Sequence, residues 1–223
     1  MAVEIIRTTT LDKMPLSYDF EADIRSYLGE LTPIPEKELA QKLESQRTLA
    51  RLSAKTINYY AVLAHEMVGP MELSGTFTKN SGILWDDHNR WGESSVAQVE
   101  PYEEIQKRMF GQREHTMLFH THPIRKNNNP FLKHLATKGI DPSSLDLIHA
   151  LATGGEVVFV PESHSYTIYI PKVVVPGEKI DAVRDRLLTE TTVRTDNGEW
   201  WPPSDFTDLL LQFVSFHVEK HSI

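Results

Sequence analysis

The sequence predicts an α/β fold in which a β-sheet is flanked by helices. At least four segments carry apolar residues at helical three- and four-residue spacings, and short apolar or alternating runs typical of strands lie between them. With 223 residues, the chain is long enough to bury a core. We expect one domain with elaborations, or two small domains.

In the first half of the chain, strand and helix patterns alternate. Strand patterns occur at residues 3–7, 71–79, 83–85, 96–99 and 115–122, and helical patterns at 36–64 and 101–110. The helical pattern at 36–64 fits one helix or two. The run Thr32-Pro33-Ile34-Pro35 marks a boundary before it, and Asn80-Ser81-Gly82 predicts a hairpin turn.

The second half of the chain is more helical. Helical patterns occur at residues 130–138, 143–153, 178–189 and 205–220, and strand patterns at 157–160 and 166–170. Gly154-Gly155 ends one of these helices, and residues 173–176 either extend the sheet or leave it. The apolar segment 200–216 is typical of a docking segment, which packs back onto the domain or forms a homodimer or partner contact.

Composition excludes several functional classes. The formal net charge is −8 and no cluster of Lys and Arg occurs, so we expect no binding to nucleic acid or to an anionic membrane. The absence of cysteine excludes disulfides, thiolate zinc sites and a cysteine nucleophile. The N-terminus lacks the apolar core of a signal peptide, and no stretch approaches the roughly 18 apolar residues of a membrane span. We therefore expect a soluble cytoplasmic protein.

A histidine pair ends the strand pattern at 115–122. Because side chains on a strand alternate between faces, His120 and His122 point the same way and can converge on one metal ion. Pro123 has no N–H to continue a strand ladder and stops the strand just beyond them. The alternative is two histidines on a polar sheet face.

A third candidate ligand, Asp146, follows His122 by 24 residues at the start of a predicted helix. Its alternative role is helix capping, since Ser143-x-x-Asp146 fits a capping box and Asp141-Pro142 fits an N-cap followed by proline. Capping does not explain why these residues follow a His-Thr-His-Pro strand. Two histidines and one aspartate would hold zinc and leave a fourth position open for water.

Hydrolysis at such a site needs a general base, and two glutamates compete for that role. A carboxylate on a strand beside the metal strand can take a proton from water and pass it to a leaving amine. Glu72 and Glu66 each precede a glycine by three residues. We prefer Glu72, because a strand pattern follows it, whereas Glu66 falls at the end of a helix pattern.

Three linked motifs resemble the JAMM (MPN) family of zinc metallopeptidases over about residues 45–175. They are Glu72 before a small-residue strand, His120-x-His122-Pro123, and Pro142-Ser143-x-x-Asp146-Leu147. The resemblance implies a curved mixed β-sheet flanked by helices, cytidine-deaminase-like, and helical patterns in the flanking residues predict extra helices at both termini. It also implies that His120, His122 and Asp146 bind zinc, that Glu72 is the general base, and that Ser143 stabilises an oxyanion. Ser144 is the alternative, one residue away.

The resemblance also implies a substrate class. The expected reaction cleaves an isopeptide or peptide bond after the C-terminal tail of ubiquitin or a ubiquitin-like protein, with the tail bound as an added strand at a sheet edge. Two alternatives remain open. One is a JAMM-type peptidase or amidase with a substrate unlike ubiquitin, and the other is a non-catalytic MPN-type scaffold.

The predicted organisation has three parts. Residues 1–44 form an N-terminal extension, 45–175 the catalytic domain, and 176–223 a C-terminal helical extension. An insert at 124–141 makes the distance between the two halves of the metal motif longer than the family usually has. It is either a surface excursion or an element that covers the site or binds substrate.

Overall fold

The computed structural model describes residues 18–68, 72–85, 116–122, 144–196 and 209–223. Four helices and eight strands are assigned within these ranges. In chain order they are α1 (Tyr18–Leu28), β1 (Thr32–Pro33), α2 (Glu36–Val68), β2 (Ser74–Thr78), β3 (Gly82–Trp85), β4 (Thr116–Thr121), α3 (Ser144–Thr153), β5 (Glu156–Val160), β6 (Ser165–Pro171), β7 (Val173–Val174), α4 (Gly177–Asp196) and β8 (Phe216–Ser222). A short 3₁₀ turn, Pro161–Ser163, joins β5 to β6, and residues 209–213 are also helical.

The main sheet has six strands in the order β3-β2-β4-β5-β6-β8. β4 and β5 are parallel, and every other neighbouring pair is antiparallel. A parallel pair needs a long crossover connection, and α3 lies within the connection from β4 to β5. The prediction of an α/β fold with a mixed sheet flanked by helices is confirmed.

Helix α2 covers one face of the sheet as a single unbroken helix, which decides between one helix and two. Glu36 and Glu38 lie in its first turn, where negative charge favours the positive helix end. Its buried face packs on β4, β5 and β6, and this half of the core contains Leu43, Leu49, Ala50, Ala54, Ile57, Met117, Phe119, Val157, Phe159, Tyr166, Ile168 and Ile170. The helix crosses residue 45, at which the predicted catalytic domain begins.

The opposite face of the sheet is covered by α1, α3 and α4. The buried residues on this side are Phe20, Ile24, Leu28, Leu147, Ile148, Ala150, Leu151, Ala152, Val158, Tyr169, Val175, Ile180, Val183, Leu187, Leu209, Leu210 and Val214. Because side chains alternate along a strand, successive residues of β4 point into the two different halves of the core. Phe119 packs on the α2 side, so His120 points to the side of α3.

Gly75 lets β2 lie close to its two neighbouring strands, β3 and β4. A Cβ at Gly75 would come within 2.6 Å of the Leu84 carbonyl oxygen and within 3.0 Å of the Phe119 ring. Any larger residue would push β3 away from β2 and would displace the Phe119 ring on β4. The small-residue strand predicted at 71–79 therefore has a packing reason.

The prediction of a helix at 205–220 is wrong for its C-terminal half. Only residues 209–213 of the described part are helical, and Phe216–Ser222 form β8, which pairs with β6 along its whole length. The segment 176–223 is thus not helical throughout. Apolar residues in this region do fit helical spacing. The spacing does not reveal that β6 has backbone groups free to pair with a seven-residue strand, and this pairing makes the segment a strand.

Other local predictions are settled by pairing between distant segments. The predicted boundary at residues 32–35 contains β1, which pairs with β7 in a separate two-stranded sheet. The segment 173–176 therefore leaves the main sheet. An extra N-terminal helix was expected, but no helical pattern was assigned to the residues of α1, Tyr18–Leu28. The hairpin turn, the strands at 157–160 and 166–170, the helix at 178–189 and the helix end at Gly154-Gly155 are confirmed.

Several predictions lie outside the described residues. They concern residues 3–7, 96–99, 101–110, 124–141 and 200–203, together with Pro123 and Ser143. The rest of the docking segment is described in part, and there Leu209, Leu210 and Val214 are buried in the core of the same chain. No helix in the described ranges combines the length and the apolarity needed to cross a membrane.

Strand β8 is tied to α2 by a charged cluster on the face opposite His120. Arg47 Nε donates a hydrogen bond to Glu219 Oε2 at 2.7 Å, and Arg47 Nη2 bonds the other carboxylate oxygen. His217 Nε2 and His221 Nε2 lie 2.9 and 3.3 Å from the same carboxylate. The hydrogen bond from Arg47 lowers the pKa of Glu219 from 4.5 to about 2.

We expect Glu219→Gln to lower the free energy of unfolding by about 1 kcal/mol at neutral pH, the upper end for a partly exposed ion pair. Because the pKa of Glu219 is lower in the folded chain, its stabilisation is complete above pH 4.5 and disappears as the pH falls toward 2. Urea unfolding of both proteins at pH 7 and pH 3 measures this difference. A difference that is as large at pH 3 as at pH 7 would contradict the role of the charge, and Glu30→Gln, at an exposed position, is the control.

Candidate metal centre

The three predicted ligands lie together. His120 is the penultimate residue of β4, His122 follows β4 directly, and Asp146 is in the first turn of α3. One ligand atom from each lies within 4.8 Å of the others. The two Nε2 atoms are 2.9 Å apart, Asp146 Oδ1 is 3.3 Å from His120 Nε2, and Asp146 Oδ2 is 3.3 Å from His122 Nε2.

Backbone pairing explains why both histidines face α3. His120 lies opposite Ser74 on β2 and Val158 on β5. Beyond the end of β4, the His122 N–H still donates to the Phe159 carbonyl at 2.8 Å, so the chain stays extended and keeps its alternation. Both imidazoles therefore lie on one face.

Packing of α3 brings the carboxylate to them. Leu147 and Ile148 follow Asp146 and are buried in the same cluster as Val158, the β5 residue beside His120. This anchors the first turn of α3 over the end of β4. Only 6% of His120 and 8% of His122 remain exposed, and the Asp146 side chain is 14% exposed, so the group is largely withdrawn from water.

The histidines and carboxylates of this group shift one another's pKa values. Burial by itself would lower the pKa of His120, but the charges and hydrogen bonds of Glu156 and Asp146 raise that pKa well above 6.5. Burial would raise the pKa of Asp146, yet the two histidines lower it well below 3.8. The carboxylates thus favour a positive charge between them, and a metal cation and a proton compete for the same place.

Sequence reasoning missed Glu156, which lies behind His120. Glu156 is 1% exposed, and its Oε1 is 2.7 Å from His120 Nδ1 and 2.9 Å from His149 Nδ1. Burial favours its neutral form, but His149 and His120 outweigh that effect and lower the pKa of Glu156 from 4.5 to about 2. The available signal was a glutamate that directly follows Gly154-Gly155 and opens a buried apolar strand.

His149 follows Asp146 by three positions on α3, so the two side chains lie on the same side of the helix. In the structure its Nδ1 contacts Glu156. It therefore reaches the histidine pair through Glu156. Burial would lower the pKa of His149, but the charge of Glu156 raises it above 6.5.

Glu72 precedes β2 in an extended segment that continues the pairing with β4. Leu73 accepts a hydrogen bond from the Thr121 N–H at 2.8 Å, and the Leu73 N–H donates to Thr121 Oγ1 at 2.9 Å. The last pair of the β2–β4 ladder is Ser74 with His120, and continuing the antiparallel order by two residues would place Glu72 opposite His122, on the same face of the sheet. Glu66, by contrast, is an exposed residue near the end of α2.

The remaining predicted site residue, Ser143, lies just outside the described residues. Its neighbour Ser144 is the first residue of α3, so the predicted capping position immediately precedes the observed helix. The roles of Glu72 and Ser143 stay predictions. What the structure brings together is the group of His120, His122 and Asp146, with Glu156 behind it.

This donor set can bind a metal ion. Two imidazole nitrogens and one carboxylate oxygen are donors that zinc accepts in proteins, and three such donors leave a fourth position of a tetrahedral site open. Bonds of about 2.0 to 2.1 Å in a tetrahedron separate ligand atoms by about 3.3 Å. Two of the three observed separations have this value, and the third, between the histidines, must open by a few tenths of an ångström.

Comparison with known proteins adds no assignment. The chain matches no protein family, no curated protein and no solved structure. Any functional proposal therefore depends on the site residues, on their geometry and on the resemblance of their motifs.

Proposed function

We propose that this chain is a zinc-dependent hydrolase of the JAMM/MPN type, with a cytidine-deaminase-like sheet, and that it cleaves an amide bond. The observation that carries the proposal is the convergence of His120, His122 and Asp146 at the end of β4. These side chains come from two elements more than twenty residues apart, and their ligand atoms face one another within a largely buried group.

Helix capping alone does not account for this arrangement. A capping role for Asp146 requires only that its carboxylate bonds the N-terminus of α3. In the structure, each of its two oxygens faces a different histidine nitrogen at 3.3 Å, on the face of the sheet that α3 covers. This bridging position supports a role as a metal ligand.

The proposed reaction uses the metal ion, Glu72 and Ser143, each in a separate role. When bound, a zinc ion supplies Lewis acidity that lowers the pKa of water toward 7 and polarises a carbonyl. The Glu72 carboxylate, opposite His122 in the β2–β4 register, takes the proton of the attacking water and delivers it to the leaving amine nitrogen. The Ser143 hydroxyl donates a hydrogen bond to the oxyanion of the tetrahedral intermediate.

The proposed substrate is an isopeptide or peptide bond that follows the C-terminal tail of ubiquitin or a ubiquitin-like protein. This part of the proposal rests on the resemblance of the three motifs. An extended tail needs a sheet edge with free backbone groups, and the described sheet has edge strands β3 and β8. β3 is the nearer edge, since only β2 separates it from the histidine strand.

Metal removal and restoration test the proposal. We expect the purified protein to bind about one equivalent of zinc and to hydrolyse a fluorogenic amide at the C-terminus of ubiquitin or a ubiquitin-like protein. A chelator should abolish hydrolysis, and added zinc should restore it. Hydrolysis that persists without metal, or a protein that binds no zinc, would contradict the proposal. If zinc binds but no such amide is cleaved, the substrate class is wrong and the metal centre stands.

A further inference from the structure

Glu156 is a buried carboxylate, and its loss of solvation is a cost in free energy that an apolar residue at this position would avoid. An ionised carboxylate withdrawn from water loses several kcal/mol of solvation unless partners compensate. Its Oε1 accepts hydrogen bonds from two histidines, but its Oε2 is buried and has no hydrogen-bond partner among the described residues. Val158 and Val160, on the same face of β5, are apolar. A valine at this position would fit the strand better, so the carboxylate needs another reason.

The position of Glu156 relative to the imidazole supplies that reason. Glu156 Oε1 contacts His120 Nδ1, whereas His122 and Asp146 face His120 Nε2. Nδ1 and Nε2 lie on opposite sides of the ring, so Glu156 stands behind the ligand and away from the place where an ion would sit. It is neither a fourth ligand nor a base for the water.

Building on the proposed zinc site, we propose that Glu156 is a positioning residue for His120 and that His149 holds Glu156 in place. A neutral imidazole carries one N–H, and a carboxylate can only accept a hydrogen bond. Glu156 therefore keeps the proton of His120 on Nδ1 and leaves the lone pair on Nε2, which faces the other two ligands.

His149 completes the arrangement from the same helix that carries Asp146. It lies one turn after Asp146 on α3, and its Nδ1 is 2.9 Å from the oxygen that bonds His120. The second donor restrains rotation of the carboxylate about its last torsion. Helix α3 thus supplies a metal ligand through its first turn and orients a second ligand through His149 and Glu156.

Zinc affinity tests the role of Glu156. Glu156→Gln keeps an oxygen that can accept both hydrogen bonds and places its amide nitrogen where Oε2 is buried, so it removes mainly the charge. We expect zinc binding to weaken about 10- to 100-fold, measured by competition with a chromophoric chelator. We also expect the visible absorption of the cobalt-substituted protein to change, a response that a purely structural role would not produce.

A pair of variants at His149 tests the second link. His149→Asn places an amide N–H near the position of Nδ1 and should bind zinc within about threefold of the wild type, whereas His149→Leu, which has no donor, should bind about tenfold more weakly. The matched control is Glu219→Gln. It makes the same change at a glutamate that also contacts two histidines, but on the other face of the sheet, and zinc affinity should not change.

The outcomes separate this inference from the proposed function. If the wild type binds zinc and a folded Glu156→Gln binds it equally well, the positioning role is wrong and the metal centre stands. If the wild type binds no zinc, the metal centre and the positioning role both fail. Should Glu156→Gln not fold, the His149 pair decides, since equal zinc affinities of the Asn and Leu variants would overturn the inference.

Discussion

His122→Ala is expected to weaken zinc binding by about a hundredfold to a thousandfold. Apparent free energies of about 10 to 16 kcal/mol for four-ligand zinc sites correspond to about 2.5 to 4 kcal/mol for each ligand. Every 1.4 kcal/mol is a factor of ten in affinity. His122 is one of three protein ligands in the proposed site, and its Nε2 is 2.9 Å from that of His120. Zinc retained after dialysis against a chelator of known affinity measures the loss.

The matched control for this prediction is His65→Ala. His65 is also a histidine that contacts a carboxylate, with Nδ1 2.7 Å from Glu162 Oε1, but it lies on α2. The control should keep the zinc content of the wild type. Far-ultraviolet circular dichroism should show that both variants fold. A His122→Ala protein that is folded and retains zinc with little change in affinity would remove His122 from the site.

Glu72→Gln is expected to lower kcat/KM for amide hydrolysis by about 10²- to 10⁴-fold, the contribution of a positioned general base. Glutamine keeps the size of the side chain but cannot accept the proton of the attacking water. Because Glu72 is not one of the three proposed ligands, zinc content should stay near that of the wild type. Steady-state kinetics on the zinc-loaded proteins measures the effect.

Glu66→Gln is the matched control, because Glu66 also precedes a glycine by three residues but is exposed on α2. It should hydrolyse the substrate at the wild-type rate. Full activity of Glu72→Gln together with a large loss in Glu66→Gln would reverse the assignment of the base. Loss of zinc from Glu72→Gln would instead show that Glu72 acts on the ligands.

The ligand group was predictable because each part of it follows from local patterns. The two-residue period of a strand requires that His120 and His122 share a face, and this needs no knowledge of the neighbours of β4. The start of α3 near Asp146 was marked by serine, aspartate and proline in capping positions, and its end by Gly154-Gly155. That these two elements meet was inferred from the motif resemblance and not from the patterns themselves.

Glu156 could not be assigned in the same way. It lies ten residues after Asp146 and on a different strand from the histidines. Nothing in its local sequence indicates which side chain it contacts. Only the parallel pairing of β4 with β5, together with the packing of α3 above them, places its oxygen between His120 and His149.

Local patterns were enough to predict that the two histidines share a face, that a helix begins near Asp146, and that the fold is α/β. Those features depend on periodicity and on capping, which are properties of neighbouring residues. Contacts between distant segments make residues 216–222 a strand beside β6, pair β1 with β7, and place Glu156 behind His120. Strand partners are joined by backbone hydrogen bonds that nearly every residue can make, so the choice of partner appears only when the chain is packed.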